Sequence, residues 1–316
     1  MQVIAKKVQS LKDNSKIHQQ LKSIIENFQP IFEFNSLINE AFSHLNKQRP
    51  DILQAHCIYL KLETARNTCL LEINKSLSDS SNQNSGNIIY NYFKNIIALY
   101  AKIETKLLHI TQNIFEKIVE DPAMIVNCLR IIEREEKLDN YAQVQFEKFQ
   151  FTTPNRPKKL KERFCQFIDS NIHSTLQEIM NSDAKLQAKA KAMLDLMYKN
   201  LRIAKYVMRD CFPPSYQILS HIYEIYHEKI SSFFSREAIG AKEEDVVVIL
   251  LTNIDYLSNK YLRNDDLKMK GIELKPLLSE QLVTKLSNRY TFSMPLSSSS
   301  FFYNFWRNTR FLKDAW

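Results

Sequence analysis

Glycine is nearly missing from this chain, with three in 316 residues where an average protein has about 7%. Glycine supplies positive φ for tight hairpins and lets a backbone close on a phosphate. A hairpin-rich sheet and a phosphate-cradling loop are therefore both excluded. Cysteine is scarce and scattered. The five, Cys57, Cys69, Cys128, Cys165 and Cys211, are odd in number and no two are close, against a disulfide framework or a Cys-x-x-Cys metal site. Cys69, Cys128 and Cys211 lie among apolar neighbours, as reduced core cysteines of a cytosolic protein do. No stretch approaches the ~18 uncharged apolar residues of a membrane span. Residues 1–18 hold no apolar run long enough for a signal peptide, so any membrane contact is expected to be peripheral.

Reactive motifs are missing too. There is no His-Glu-x-x-His, Gly-x-Ser-x-Gly, Walker or dinucleotide pattern. His18, His44, His56, His109 and His173 stand singly. Glu224-Ile225-Tyr226-His227 has the Glu-x-x-His spacing of di-iron bundles, but such a site needs a second copy and two more glutamates, and none is found. His221 and His227, six apart, project about 240° from each other on a helix. No catalytic residue, metal site or cofactor is expected, and the chain is read as not an enzyme.

What is present is charge, apolar periodicity and length. The net charge is +8, from 43 Lys+Arg against 35 Asp+Glu, mostly interleaved as on solvated helix faces. One local concentration stands out: Arg156, Lys158, Lys159, Lys161 and Arg163, interrupted only by Glu162. It has two readings, a helix start with solvated lysines or a patch for an anionic membrane or acidic partner. Cations at a helix N-terminus run against the dipole, which keeps the second open. Glu133, Glu135 and Glu136 read as a solvated face, with Arg130, Arg134 and Lys137 in pairing distance along the helix.

Apolar residues recur at steps of three and four almost throughout. Residues 1–28 carry Ile4, Val8, Leu11, Ile17, Leu21, Ile24 and Phe28, up to Pro30. A helix over 31–47 has Ile31, Phe34, Ile38, Ala41 and Leu45 on one face. The next, after Pro50, carries Tyr59, Leu62, Cys69, Ile73 and Leu77. Serine and asparagine dominate 76–87, which predicts a loop and a boundary. From 89 to 119 a heptad seam runs through Ile96, Tyr100, Ile103, Leu107, Ile110 and Ile114. Asp121-Pro122 restarts a helix with Ile125, Cys128, Leu129 and Ile132 inward, and 152–157 breaks the chain again. Leu186 to Met208 forms a long helix ending at Cys211-Phe212-Pro213-Pro214, and another runs over 215–235. Local propensity in 246–251 suggests a strand, but Val247, Leu250, Ile254, Leu257 and Tyr261 keep helical spacing, so helix is expected there and over 276–290. Residues 293–316 differ from the rest, with both tryptophans and seven aromatics among 24 residues. That tail reads as an alternative terminus, or else as an aromatic docking peptide. The expected fold is all-α, an N-terminal coiled-coil helix followed by stacked antiparallel helical bundles in an elongated rod. The expected divisions are 1–80, 81–212, 213–292 and 293–316.

Six segments, in order, resemble one family. They are Leu53-Gln54-Ala55-His56; Asp121-Pro122 through Arg130-Ile131-Ile132-Glu133-Arg134-Glu135-Glu136-Lys137; Arg156-Pro157-Lys158 with Lys161-Glu162; Cys211-Phe212-Pro213-Pro214 with Tyr216; Tyr226-His227; and Leu277-Leu278-Ser279 with Val283 and Leu286. Together, across roughly residues 8–290, they resemble the exocyst complex component 3 family. The resemblance begins part-way into that family's N-terminal coiled coil and stops near Tyr290, so the chain is expected to be partial. It implies a cytoplasmic subunit of the exocyst, peripheral at plasma-membrane exocytic sites. Such a subunit tethers secretory vesicles before SNARE-mediated fusion and bundles its helices with components 4, 2 and 1. SNARE-related binding is also implied. The stripe Ile4, Val8, Leu11 and Leu21 is the candidate partner-facing surface. The alternative is a basic helical module for anionic membrane or nucleic acid; the family reading implies no nucleic acid.

Overall fold

The computed structural model describes residues 14–19, 22, 25, 29–76, 83–240, 247, 249–251 and 275–293, and among them every regular element is a helix. The chain divides into two compact units. One comprises residues up to Gln112 with Ala123–Cys165; the other comprises Asn113–Pro122 with residues from Gln166 onward. Helices on either side of residues 76–87 pack on one another.

In the first unit, α1 (Phe34–Asn46) buries Phe34, Ile38, Ala41 and Leu45, the predicted stripe. It packs on α2 (Ile52–Ser76) and α4 (Asn95–Thr111). Asp51 starts α2 as an N-cap, its Oδ1 accepting the Gln54 N–H at 3.0 Å, a contact that satisfies one orphan donor of the first turn. Phe34 meets Phe93 edge-on and Tyr92 tilted, each with centroids 5.1 Å apart, worth about 0.5–1.5 kcal/mol per pair beyond area burial. The expected single seam over 89–119 is three helices: α3 (Gln83–Tyr92), α4, and α5 (Ile114–Glu120), broken at Phe93-Lys94 and Gln112-Asn113. Its seam residues Ile96, Ile103, Leu107, Ile110 and Ile114 are buried as predicted. The helix α6 (Pro122–Phe149) begins at the expected proline and buries Ile125, Cys128, Leu129, Ile131 and Ile132. The segment from Gln150 to Lys159 then turns without glycine. Gln150, Asn155 and Lys159 take positive φ (52°, 61° and 52°), and Arg156-Pro157 is cis.

In the second unit, α7 (Leu160–Asn181, from Gln166), α8 (Leu186–Ile203), α9 (Ile218–Gly240) and α10 (Glu280–Ser293) accompany α5. Beyond α8 the chain stays helical through a π-helical turn, Ala204–Met208, and Arg209–Cys211, ending before Pro213. Ala190, Met193, Met197, Leu201, Ala204 and Met208 are its buried stripe, packed on α9 and α5. Val247 and 249–251 are helical with Val247, Leu250 and Leu251 buried, so the 3.6 period wins over strand propensity at these positions. Residues 275–277 are tied to α9 through backbone groups. Tyr223 Oη accepts the Lys275 N–H at 2.9 Å, and Ser231 Oγ donates to the Leu277 carbonyl at 2.7 Å.

Candidate functional site

Four residues of α2, His56, Tyr59, Glu63 and Arg66, follow at steps of three, four and three, which puts them on one face. That face is the buried one, shared with Ala55 and Leu62. From α6, Glu135 and Asp139 lie one turn apart, and the 150–159 segment carries Arg156 and Lys158. All eight meet in the first unit.

Arg156 is the centre. Its Nη2 lies 2.6 Å from Glu63 Oε2 and 3.0 Å from Glu135 Oε2, and its Nη1 donates to Asp139 Oδ1 at 2.6 Å. Lys158 Nζ sits 2.9 Å from Glu135 Oε2 and 3.2 Å from Glu63 Oε1. It donates to the Tyr59 hydroxyl and lies 4.4 and 4.0 Å from the ring centres of Tyr59 and Tyr100. Tyr59 donates in turn to Glu63 Oε1 at 2.6 Å. Asp139 Oδ2 accepts the backbone N–H groups of Lys158 and Lys159 at 2.9 and 3.0 Å, which holds the turn that delivers both cations. Arg66 closes the cluster, 3.8 Å from Glu63 Oε1 and donating to the Pro154 carbonyl at 3.2 Å. The side chains of Arg156, Lys158, Glu63 and Glu135 are 2, 4, 3 and 0% exposed. Three carboxylates therefore face three cations in a nearly dry site.

The protonation states follow from this geometry. Burial alone would raise the Glu135 carboxyl, but the hydrogen bond from His56 and the charges of Lys158 and Arg156 hold it down at about 2. His56 is pushed below its ordinary value by burial, which outweighs the pull of Glu135. It is thus a neutral imidazole whose Nε2–H donates to Glu135 Oε1 across 2.6 Å. Burial also lowers Lys158, against the raising effect of Glu63 and Glu135. Burial raises Tyr59 and Tyr100, so both stay phenols. The cluster is closed, with His56 Nδ1 and the Tyr100 hydroxyl left buried without a hydrogen bond, and its chemistry is positioning: it fixes α2, α6 and the 150–159 segment in one register.

The structure divides the predicted basic cluster. Arg156 and Lys158 point inward and are no part of a surface patch, because buried carboxylates from α2 and α6 neutralise them. Lys161 pairs with Glu136 at 3.1 Å, Arg163 pairs with Glu104, and Lys159 stays exposed beside Glu162. The expected solvated face over 133–136 is corrected in the same way, since Glu135 is wholly buried and Arg134 donates to Cys57 Sγ at 3.2 Å. His56, Glu63, Arg66, Glu135 and Asp139 were missed. Their signal was available, because Glu63 and Arg66 fall on the same stripe as Tyr59 and Leu62. Ile4, Val8, Leu11 and Leu21 lie outside the described residues.

Other candidates for chemistry lead elsewhere. His227 Nε2 lies 3.1 Å from the carbonyls of both Lys275 and Pro276. Carbonyls only accept, so that nitrogen carries the proton and is spent on backbone. Among the described residues no three His, Cys, Asp or Glu side chains gather to hold a metal. A groove of about 340 Å³ runs along α2 between Pro30, Leu60, Thr64 and Thr68, and no carboxylate or histidine lines it. Among the described residues no helix is long and apolar enough to cross a membrane.

Comparison with known proteins gives a consistent result. The sequence model of the family described as "Exocyst complex component Sec6" matches residues 93–307. This match runs past Tyr290, where the resemblance was expected to stop, and takes in most of the aromatic tail. The chain is 24% identical over 305 residues to "Exocyst complex component 3" of Caenorhabditis elegans, covering 91% of this chain and 38% of that protein. It is 25% identical over 276 residues to the Drosophila melanogaster protein of the same description, covering 84% and 37%. Against "Exocyst complex component 3-like protein" of Danio rerio it is 19% identical over 300 residues, covering 90% and 38%. The chain thus spans a little over a third of the length of these relatives. No solved structure matches it.

Proposed function

The chain belongs to the exocyst complex component Sec6 family, and on that premise we propose that it acts as a non-enzymatic subunit of the exocyst. Its work in this reading is to tether secretory vesicles to the plasma membrane before SNARE-mediated fusion, by packing its helices against those of other subunits. The observation that carries the reading is the family match over residues 93–307. The site geometry supports it: the cluster of ionisable groups around Arg156 is sealed and internally neutralised, fit to hold helices in register and unfit to meet a substrate. Helices held this way present side-chain ridges to a partner, and burying apolar area at about 25 cal/mol per Å² gives affinity without special chemistry. Components 4, 2 and 1 are the proposed partners, with SNARE-related proteins beyond them. The stripe Ile4, Val8, Leu11 and Leu21 is the proposed contact, and the proposed location is cytoplasmic, peripheral at exocytic sites of the plasma membrane.

The test is affinity capture of the tagged chain from cells that express the exocyst, quantified by mass spectrometry. Components 4, 2 and 1 are expected to co-purify with the wild-type chain and to drop in a quadruple variant, Ile4→Asp, Val8→Asp, Leu11→Asp and Leu21→Asp. Capture free of every exocyst subunit sinks the reading. Undiminished capture by the variant sinks only the assignment of the stripe.

A further inference from the structure

The cluster around Arg156 contains one ionisable group that takes no part in its charge balance. His56 is wholly buried on the inner side of α2 and stacks on the Tyr59 ring, with centroids 5.9 Å apart and planes 26° from parallel. Its Nε2–H donates to Glu135 Oε1, and its Nδ1 has no hydrogen bond. The charged groups that face it are Glu135 and Arg134 from α6 and Lys158 from the 150–159 segment. The other helices packed on α2 bring different chemistry. α1 presents the apolar stripe from Phe34 to Leu45, and α3 carries no charged residue. α4 places the Tyr100 phenol against Tyr59, with Glu104 one turn on paired to Arg163.

A proton on Nδ1 upsets this arrangement in two ways. Three carboxylates already face three cations, so an imidazolium is a fourth positive charge in a nearly dry site, repelled by Lys158 and Arg134. The new N–H also lacks an acceptor there, which costs its full desolvation. Relief does not come from α2, because Ile58, Tyr59 and Leu62 fix that helix in the core. It comes from residues 150–159, which form no helix. Their ties to α2 and α6 are the Arg156 and Lys158 side chains, the Pro154 carbonyl and the two backbone N–H groups on Asp139. Phe151 and Leu160, buried at the two ends, serve as pivots. When these ties part, no buried carboxylate is stranded. Glu63 keeps Arg66 at 3.8 Å, Glu135 keeps the imidazolium at 2.6 Å, and Asp139, 13% exposed, reaches water. We infer that the 150–159 segment is a proton-released latch: a protonated His56 replaces Arg156 and Lys158 as the counter-ion of Glu135, and the segment swings off α2 and α6. The device needs no substrate, so it goes beyond membership of the exocyst and holds whichever complex the chain joins.

The sign follows from linkage. In the closed form His56 is held below its ordinary 6.5 by burial, and in the open form it titrates near that value, so opening gains as pH falls through 6.5. Between about pH 7.4 and about pH 5.5 the open population rises about tenfold. The test is hydrogen exchange of the purified chain at those two pH values, corrected for the intrinsic pH dependence of exchange. The Lys158 and Lys159 amides, which Asp139 holds, should lose about tenfold in protection. At both values they should exchange at least about tenfold faster than the slowest peptides from Ile52–Ser76, because the latch opens without global unfolding. His56→Gln keeps a donor for Glu135 and takes no charge, so its segment should change by less than about twofold. Lys158→Met removes a cation that competes for Glu135, so exchange of the His56 ring C–H, read by mass spectrometry, should titrate at a higher pH than in the wild type. A change below about twofold in the wild type, an equal change in His56→Gln, or an unmoved His56 titration in Lys158→Met overturns the inference. Segment amides no faster than those of α2 overturn it as well, since the opening would then be global unfolding. The two wild-type readouts decide by themselves where a variant does not fold.

Discussion

Replacing Glu135 by glutamine keeps the shape of the side chain and deletes one of three negative charges that face three buried cations. The cost follows from the structure by two routes. Holding a carboxyl at about 2 when its ordinary value is 4.5 corresponds to about 3 kcal/mol of interaction with the ionised form. Breaking a buried ion pair by removing one partner costs about 3–5 kcal/mol, because the surviving charge is left uncompensated. Arg156 keeps Glu63 and Asp139, which argues for the lower end. Hydrogen exchange suits the measurement because the chain has two units: peptides from Ile52–Ser76 and from Pro122–Phe149 should lose roughly a hundredfold in protection, while peptides from α9 in the second unit act as the internal reference. Adding Lys158→Met restores equal numbers of opposite charges, so the double variant should recover at least about 1 kcal/mol of the loss. A change below about threefold in Glu135→Gln, or strictly additive losses in the double variant, would show that the cluster does not hold these helices and would refute the reasoning.

Four further outcomes follow from the same contacts. Because the folded Glu135 value lies below the unfolded one, its contribution is complete above about pH 4.5 and disappears as pH falls toward about 2. The lowered His56 adds an earlier loss below its ordinary 6.5, so acid titration by circular dichroism should show stability declining from near pH 6.5, with a shallower limb below 4.5 in Glu135→Gln. Asn200 Nδ2 donates to the Tyr226 hydroxyl at 2.6 Å in the second unit, both buried; Asn200→Ala should cost about 1–3 kcal/mol in thermal or urea unfolding, and Asn200→Leu with Tyr226→Phe distinctly less. Gln217 sits at φ 44° between Pro214–Tyr216 and α9, so Gln217→Val should destabilise by about 1–2 kcal/mol while Gln217→Gly is neutral or better. Ser231→Ala with His227→Ala removes the side chains that hold the carbonyls of residues 275–277 and should speed limited proteolysis next to Lys275, whose unchanged cleavage rate would count against the tie.

The apolar half of this fold was legible because a helix that buries one face must repeat at three and four. The stripes of α1 and α8 sit where that spacing puts them. The same rule hid the breaks at Phe93-Lys94 and Gln112-Asn113, since the three-four spacing continues across both and neither turn carries glycine or proline. With so little glycine, the left-handed positions fall to Gln150, Asn155, Lys159 and Gln217, of which only Asn155, inside the break expected over 152–157, announces a turn. The charged half was misread for a different reason. Treating Glu135, Arg156 and Lys158 as solvated holds for a charge taken alone, and fails when α2, α6 and the 150–159 segment bring opposite charges from three parts of the chain to one place.

That failure explains what the family resemblance consists of. Three of its six segments contribute His56, Glu135, Arg156 and Lys158, and these meet in a single cluster. Two others, Tyr226-His227 and Leu277-Leu278-Ser279, are joined by the hydrogen bonds that α9 makes to residues 275–277. The spacing that identifies the family is therefore the spacing needed for distant residues to meet inside the protein. Surface residues that would meet a partner carry no such internal requirement. Glu135→Gln should therefore loosen α2 and α6 and reduce capture of other subunits only as a consequence of that loosening. If capture drops while hydrogen-exchange protection of α2 and α6 is unchanged, the cluster meets a partner directly and this separation of internal from surface residues does not hold.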